Sequence, residues 1–487
     1  MHNENLQEQV DADINKNKAY LKNLFKDTTD IVYRDFKIKD IPVLLVYIDG
    51  MADKILLNHF IVNPAMTMED KIANAADIKD NILTVTDIKE APTFKDAINA
   101  MLSGDTLMLI NGLANALVIA SRAWPTRSIG EPDGETVIRG PRDGFNETIR
   151  FNTALIRRNI RDSRLKVKAQ SIGSRSKTDV AIMYIEDIAN KEIISEVERR
   201  LDNINIDAIL DSGYVEQLIE DNSNSVFPQI QSTERPDVAA AAIYEGRVAI
   251  LVDNSPFALL VPATLPTFMQ SPDDYNQRWL NTVVIRLTRT FAVILSLILP
   301  GSYIAVTSFN ITILPTKLAY SIAATREGVP FPAFVEVIIM EVALIVLMES
   351  IARLPKSMGT TIGIVGGLVI GQAAVSAGIV SPIMVIIVGV TAITTFISPN
   401  YGITNGFRLL RFFLIICSMI AGIYGIFVGM VLILVHLIRL ESFGISYLSP
   451  IVNTHKEDMK DLFFRAPISS LKARPKFLHT RDKIRQR

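Results

Sequence analysis

The feature that most constrains this chain is a long region without charged side chains towards its C-terminal end. No Asp, Glu, Lys or Arg occurs between residues 357 and 407, and none occurs between residues 412 and 438. A helix that crosses a membrane needs about 20 apolar residues, and a series of such runs is very unusual in a soluble core. The candidate runs lie at residues 291–309, 333–351, 359–380, 382–398 and 409–438. The sequence therefore predicts an α-helical polytopic membrane domain over residues 290–440.

Residues 1–250 have the composition of a soluble domain instead. Charged residues are frequent and apolar runs are short. Short runs of strand-forming residues alternate with segments whose apolar residues recur at helical spacing. This pattern predicts an α/β fold, either as one body or as two lobes separated by the Gly- and Pro-rich stretch 112–144. No apolar core follows the N-terminus as a signal peptide requires, so we expect this domain in the cytosol.

The C-terminal segment, residues 441–487, is predicted to be a basic cytoplasmic tail. Residues 465–487 carry many Lys and Arg side chains against a single acid, Asp482, and such segments stay on the inner side of a membrane. If both ends of the chain lie on the cytosolic side, the chain must cross the membrane an even number of times, whereas the sequence contains five apolar runs. The last run contains Gly422, Gly425 and Gly429, which favours its division into two passes. A re-entrant portion within residues 359–398 is the alternative.

A linker over residues 251–289 ends in a helix with one apolar face. Trp279 belongs to that face, whereas Arg278 and Arg289 lie away from it and Arg286 lies at its border. A helix at a membrane surface has this composition, with Trp at head-group depth and arginines facing phosphates. The sequence therefore predicts that these four residues are membrane-interface anchors and that the helix couples the soluble domain to the first span. An amphipathic core helix is the alternative.

Polar and small residues within the predicted spans are the candidate functional residues. Glu341 has apolar neighbours on both sides, so it either faces a water-filled path or bonds to a neighbouring helix. The third run repeats small residues at helical spacing, which suits close helix packing or a narrow pore. The candidate residues of an ion path are Glu341, Gly359, Gly363, Gly367, Gly371 and Gln372.

The sequence contains no recognisable catalytic motif. The GxxxxGK[ST] and HExxH patterns are absent, the histidines are scattered, and Cys417 is the only cysteine. We therefore expect neither an enzyme nor a bound metal or cofactor. The 50 Lys and Arg residues against 51 Asp and Glu leave no basic excess for binding nucleic acid.

A set of short segments, spread from the first strands to the end of the fourth run, carries a family resemblance. They are YIDGMADK at 47–54, RGPRDGFNET at 139–148, NTALIR at 152–157, DNSPF at 253–257, SPDDY at 271–275, LPGSY at 299–303, IAATREGVPF at 322–331, RLP at 353–355 and SPN at 398–400. With these segments the chain resembles the A subunits of the GerA family of spore germinant receptors.

The resemblance implies a receptor in the spore inner membrane. Such a receptor combines the A subunit with a transporter-like B subunit, which binds the nutrient, and with a lipoprotein C subunit. The resemblance also implies that the A subunit forms homo-oligomers and passes the signal on as an ion channel that releases cations. An ion-coupled permease and a membrane-anchored signalling scaffold are the alternatives that the residues leave open.

Overall fold

The computed structural model describes residues 9–67, 78, 83–85, 87–123, 130–132, 134–353, 371–452 and 457–486. The chain divides into two compact units. The α/β unit comprises residues 1–223, 230–262 and 471–487, and the helical unit comprises residues 224–229 and 263–470. The boundary expected at residue 250 falls within a strand, because the second sheet continues to residue 261.

The first lobe of the α/β unit is an antiparallel five-stranded sheet with the strand order β1-β2-β4-β5-β3. Its strands and helices are α1 (Ile14–Leu24), β1 (Ile31–Ile38), β2 (Ile41–Ile48), α2 (Lys54–Leu57), α3 (Asn63–Thr67), β3 (Ile88–Ala91), α4 (Phe94–Leu102), β4 (Thr106–Ile110) and β5 (Ala116–Ile119). Side chains alternate along a strand, so Leu44 and Val46 pack towards α1 and α4. Val43 and Leu45 pack on the opposite face, against the helices of residues 54–67.

The second lobe is also an antiparallel five-stranded sheet, with the strand order β6-β7-β9-β10-β8. Its elements are α5 (Ile149–Asn159), β6 (Leu165–Ile172), β7 (Thr178–Ile185), α6 (Lys191–Asp202), α7 (Ser212–Ile219), β8 (Gln231–Thr233), α8 (Pro236–Glu245), β9 (Val248–Val252) and β10 (Ala258–Val261). Helices α5 and α8 cover one face of this sheet through Ile156 and Ile243. The α/β fold is confirmed, in its two-lobed form.

A buried ion pair joins the two lobes. The guanidinium group of Arg157, at the end of α5, contacts the carboxylate of Asp30 just before β1. Beside it, the backbone N–H and the hydroxyl of Thr29 both donate to the carbonyl oxygen of Val167, each over 2.9 Å. In the sequence analysis Arg157 occurs only as the last residue of the NTALIR segment, because nothing local indicates a partner more than a hundred residues away.

The last residues of the chain pack into the α/β unit. Leu478 is buried there, and Arg474 Nε donates to the carbonyl oxygen of Tyr244 over 2.9 Å. The backbone N–H of Arg481 donates to the carbonyl oxygen of Ile188 over 3.0 Å. Residues 471–486 are therefore an integral part of this unit, whereas the sequence analysis treated residues 441–487 as one basic tail.

The helical unit consists mainly of apolar helices. Its elements are α9 (Leu265–Met269), α10 (Asp273–Asn276), α11 (Trp279–Ile304), α12 (Thr316–Arg326), α13 (Ala333–Arg353), α14 (Gly371–Ser376), α15 (Pro382–Thr395), α16 (Tyr401–Arg439), β11 (Glu441–Ser442) and β12 (Ile445–Ser446). Within the described residues, Trp279–Phe309 and Tyr401–Arg439 are long and apolar enough to cross a membrane, and Pro382–Thr395 is a shorter apolar helix.

Helix α16 folds back on itself as a hairpin. Ala421 and Gly422 have non-helical backbone angles, and Gly422 has φ +57°. A Cβ atom built on Gly429 would lie 2.7 Å from Cδ2 of Leu414, whereas these positions would be about 22 Å apart along a straight helix. Residues 401–420 and 423–439 are therefore two packed arms, in agreement with the division that the glycines predicted. A Cβ on Gly425 would overlap the backbone of the opposite arm.

Candidate functional site in the helical unit

Helix α11 joins the predicted linker to the first predicted span without interruption. Its apolar face is exposed, with Leu280 and Val284 as examples. Arg278 and Trp279, at the beginning of the helix, are exposed as well. An exposed apolar face on a long helix suits contact with lipid. The anchoring role of Arg278 and Trp279 remains a prediction.

Arg286 and Arg289 lie on the opposite, buried side of α11. Arg286 Nε and Arg289 Nη1 each lie 3.0 Å from Oδ2 of Asp274. Arg286 Nη1 also donates to Oδ1 of Asp461 over 2.8 Å. In this structure the two guanidinium groups therefore contact carboxylates rather than the phosphates expected from the sequence. Asp274 and Asp461 are the partners that sequence reasoning missed, although Asp274 lies in the SPDDY segment.

A second buried ion pair lies deep among the apolar helices. Glu341 of α13 is 0% exposed, and its Oε2 lies 3.1 Å from Nη1 of Arg411, which is 1% exposed. Arg411 also donates to Oγ1 of Thr395 over 2.5 Å. Of the two possibilities for Glu341, the structure supports a carboxylate bonded to a neighbouring helix. Arg411 lies between the uncharged runs 357–407 and 412–438 and is not among the candidate residues from the sequence, although an arginine in that position was an available signal.

Glu336 is neutralised in a different way near the beginning of α13. Its Oε1 accepts a hydrogen bond of 3.2 Å from Arg326 Nε, and its Oε2 accepts one of 2.9 Å from the backbone N–H of Ser381. The Ser381 hydroxyl shares a further hydrogen bond with the hydroxyl of Tyr303 at 3.1 Å. These contacts bring together residues near α11, α12, α13 and α15, so this carboxylate fixes the packing of helices.

The structure describes only part of the predicted ion path. Gly359, Gly363 and Gly367 lie outside the described residues. Gly371 begins α14 and packs closely on α15, since an added Cβ atom would lie 3.3 Å from Cγ1 of Val385. Gln372 is exposed on the surface of the helical unit.

The buried carboxylates of the described residues do not form a metal site. Within the ranges given above, no group of three or more His, Cys, Asp and Glu side chains is arranged to hold a metal ion. Glu336 and Glu341 each lie against an arginine instead. The arrangement can position helices and balance charge inside an apolar unit.

Comparisons with known proteins show what the chain is similar to. The family described as Bacillus/Clostridium GerA spore germination protein matches residues 19–477. Spore germination protein GerLA of Bacillus cereus is 44% identical over 440 residues, which is 90% of this chain and 89% of that protein. Spore germination protein B1 of Bacillus subtilis (strain 168) is 41% identical over 490 residues, covering 98% of this chain and 100% of that protein.

Among solved structures, the chain is similar to the N-terminal domain of the A subunit of the Bacillus megaterium spore germinant receptor GerK3. The identity is 34% and the TM-score is 0.41, with 53% of this chain and 98% of that domain covered. The match of the family over nearly the whole chain, together with relatives of similar length, shows which family the chain belongs to. The chain belongs to the GerA family of spore germination proteins.

Proposed function

We propose that this chain is the A subunit of a germinant receptor in the spore inner membrane, where it converts the binding of a nutrient into ion release through an oligomeric cation channel. Its relatives carry names of spore germination proteins, and one similar solved domain comes from the A subunit of a germinant receptor. The partners in this proposal are a transporter-like B subunit, a lipoprotein C subunit, further copies of the chain and membrane lipids.

The proposal includes six membrane passes with both ends of the chain on the cytosolic side. The passes are α11, α13, the uncharged run 357–380, α15 and the two arms of α16. Residues 471–487 belong to the same compact unit as residues 1–223, so the chain has to return to the side from which it started. The arms of 20 and 17 residues would be about 30 and 26 Å long, which suits one crossing each.

The observation that carries the channel proposal is the exposed polar face of α14. Gln372 and Ser376 are one helical turn apart and both exposed, whereas Ala374 and Val375 pack against the apolar core of the helical unit. In a membrane, polar side chains are covered by protein or by water rather than by lipid. A ring of neighbouring copies around a hydrated path satisfies this requirement.

In this proposal the path is lined by three glycines that precede α14, Gly359, Gly363 and Gly367, and by the exposed Gln372, while Gly371 allows α14 to pack closely on α15. Glu341 is paired with Arg411 in the described structure, so its influence on the path acts through helix position.

A substitution of Gly363 tests the channel proposal. Gly363→Leu should abolish cation release from spores exposed to a mixture of L-amino acids, glucose and nucleosides, because leucine would fill a path lined by glycine. Gly389→Leu is the matched control, since an added Cβ atom at Gly389 has no neighbour within 4 Å. Normal release by the Gly363→Leu variant at a normal receptor level would refute the proposal.

Recording from purified oligomers in planar bilayers separates the three functional hypotheses. Discrete conductance steps support the channel. Flux that requires a substrate on one side supports an ion-coupled permease, and the absence of both supports a membrane-anchored signalling scaffold.

A further inference from the structure

A short loop near the end of the helical unit, residues 461–465, carries two exposed aromatic side chains at its tip and is called here the Phe464 loop. Asp461 and Arg465 face each other across an antiparallel bridge, which closes the loop at its base. Leu462 and Arg465 are buried, whereas Phe463 and Phe464 are 36% and 59% exposed. Contiguous apolar surface of this kind marks a place of contact with a protein or with a membrane.

Arg286 of α11 holds one side of the base of the loop. Its Nη1 atom donates to Oδ1 of Asp461 over 2.8 Å and to the carbonyl oxygens of Asp461 and Leu462, each over 3.1 Å. Gln270 Nε2 donates to the carbonyl oxygen of Asp461 over 2.9 Å, and the Tyr275 hydroxyl donates to its Oδ2 over 2.8 Å. Both carboxylate oxygens and the carbonyl oxygen of Asp461 are therefore bonded, so the loop is fixed to the first two turns of α11.

Arg465 holds the other side of the base. Its Nη1 donates to the carbonyl oxygen of Gln277 over 3.0 Å, and its Nη2 donates to that of Tyr275 over 3.4 Å. The guanidinium groups of Arg286 and Arg465 lie 5.5 and 5.4 Å from the centroid of the Tyr275 ring, within the range of cation–π contacts. The segment that leads into α11 and the Phe464 loop therefore share one buried set of contacts.

The position of Arg286 along α11 sets the depth of the loop. The 20 residues 290–309 contain no charged side chain, and a helix of that length spans about 30 Å, the thickness of the hydrocarbon core of a bilayer. Arg286 precedes this run by about 6 Å of helix, which is the depth of the head groups when the run crosses the membrane. The Phe464 loop is bonded to Arg286 and lies at the same depth.

We propose that the Phe464 loop is a lipid-binding element, which inserts Phe463 and Phe464 between the lipids of the inner leaflet beside the first span. An apolar tip at head-group depth gains free energy when it enters the acyl chains, because it then leaves water. Arg286 and Asp461 are positioning residues, since they hold the loop at the membrane surface without contacting lipid themselves. The inference rests on the membrane-spanning role of α11 in the proposed function and adds a second contact with lipid.

A spin label at the tip of the loop tests this inference. The purified full chain carries Cys417→Ala and Phe464→Cys, is labelled with a nitroxide, and is placed in nanodiscs of phosphatidylglycerol and phosphatidylethanolamine. Collisions of the label with O₂, which concentrates in lipid, are compared with collisions with a Ni²⁺ chelate, which stays in water. We expect the ratio of the two collision rates to be several-fold higher at position 464 than at the control Ile484→Cys, an exposed position of the α/β unit.

A label at Phe291→Cys separates failure of the loop from failure of the span. Phe291 is exposed on α11 within the uncharged run. A lipid-like ratio at 291 with a water-like ratio at 464 overturns the insertion of the loop and leaves the proposed function intact. Water-like ratios at both positions remove the membrane span on which both depend.

A protein that covers the tip gives a different result. Spectral broadening at 464 that disappears when labelled chains are diluted with unlabelled ones indicates contact between copies of the chain. Few collisions with both reagents indicate a tip packed against protein. Either result overturns the assignment of the loop to lipid.

The contacts at the base of the loop are tested in the same labelled chain. Asp461→Ala should release the tip and lower the collision ratio at 464 several-fold, and Tyr275→Phe, which removes only a hydroxyl group, should lower it less. Glu457→Ala is the matched control, because it removes an exposed carboxylate outside the loop. A lipid-like ratio at 291 in the Asp461→Ala chain shows that the span is still in place. An unchanged ratio at 464 in both Asp461→Ala and Tyr275→Phe would overturn the positioning role of the base.

Discussion

Replacing Glu341 by Gln distinguishes two roles of this residue: a structural ion pair with Arg411, or a carboxylate that lines a hydrated path. Glu341 and Arg411 are 0% and 1% exposed and lie 3.1 Å apart, and Arg411 Nε has no hydrogen-bond partner within the described residues. Removal of one member of a buried pair leaves an uncompensated charge, which costs about 3–5 kcal/mol. We therefore expect Glu341→Gln to destabilise the helical unit by about that amount, and Arg411→Met to have a similar effect.

A double-mutant cycle isolates the interaction between the two side chains. The variant with both substitutions contains no isolated charge, so its loss should be smaller than the sum of the two single losses. For a unit of this size, a loss of about 3–5 kcal/mol lowers the unfolding midpoint by roughly 6–20 °C. The assay is thermal unfolding of the purified full chain in detergent, followed by the loss of the monodisperse peak in size-exclusion chromatography.

Glu349→Gln is the matched control on the same helix. Glu349 is exposed, and an exposed ion pair contributes at most about 1 kcal/mol, so this variant should unfold near the wild-type temperature. The reasoning is refuted if Glu341→Gln unfolds at the same temperature as Glu349→Gln while nutrient-triggered cation release changes. That result would place Glu341 on a hydrated path instead of in a structural ion pair.

Three further predictions concern other parts of the molecule. Gly425→Ala should prevent closure of the hairpin and abolish monodisperse protein, because its Cβ atom would overlap the backbone of Cys417. Gly389→Ala should behave as wild type, because its Cβ atom would have no neighbour within 4 Å. Leu478→Ala should destabilise the α/β unit by about 2–5 kcal/mol in urea unfolding, and the exposed Ile484→Ala should have little effect. Burial, aided by neighbouring carboxylates, raises the pKa of Glu216 to about 7 from 4.5, so the folded state retains a proton that the unfolded state releases. Its contribution to stability is present below about pH 4.5 and is lost as the pH rises through about 7. Between pH 5 and pH 8, the loss of stability in urea unfolding should therefore be about 2.5 kcal/mol smaller for Glu216→Gln than for the wild type.

Features that depend on local sequence could be predicted. Short β-rich runs between segments of helical periodicity predicted the α/β fold, and in β2 the residues Leu44 and Val46 pack on one face of the first sheet while Val43 and Leu45 pack on the other. The glycines of the last run predicted its division, and Gly422 has the positive φ that a reversal of the chain requires. In both cases the physical requirement acts within a few residues.

Features that depend on distant partners could not be predicted. Arg286 and Arg289 have the sequence context of interface anchors, yet both contact the carboxylate of Asp274, and Arg286 also contacts that of Asp461. Glu341 and Arg411 are 70 residues apart, so the sequence left two roles open for the carboxylate. Neither the composition nor the periodicity of a sequence indicates which charged side chains form ion pairs after folding.

The C-terminal segment illustrates the same limit and also strengthens the proposed topology. Its basic composition predicted the inner side of a membrane by a rule that concerns charge alone. The structure adds a separate reason, because Leu478 is buried and the backbone N–H of Arg481 is hydrogen-bonded within the α/β unit. A segment that completes the core of a unit has to lie on the same side of a membrane as that unit, whatever its charge. Neutralising its exposed basic side chains should therefore leave the orientation unchanged, since packing would hold the segment in place.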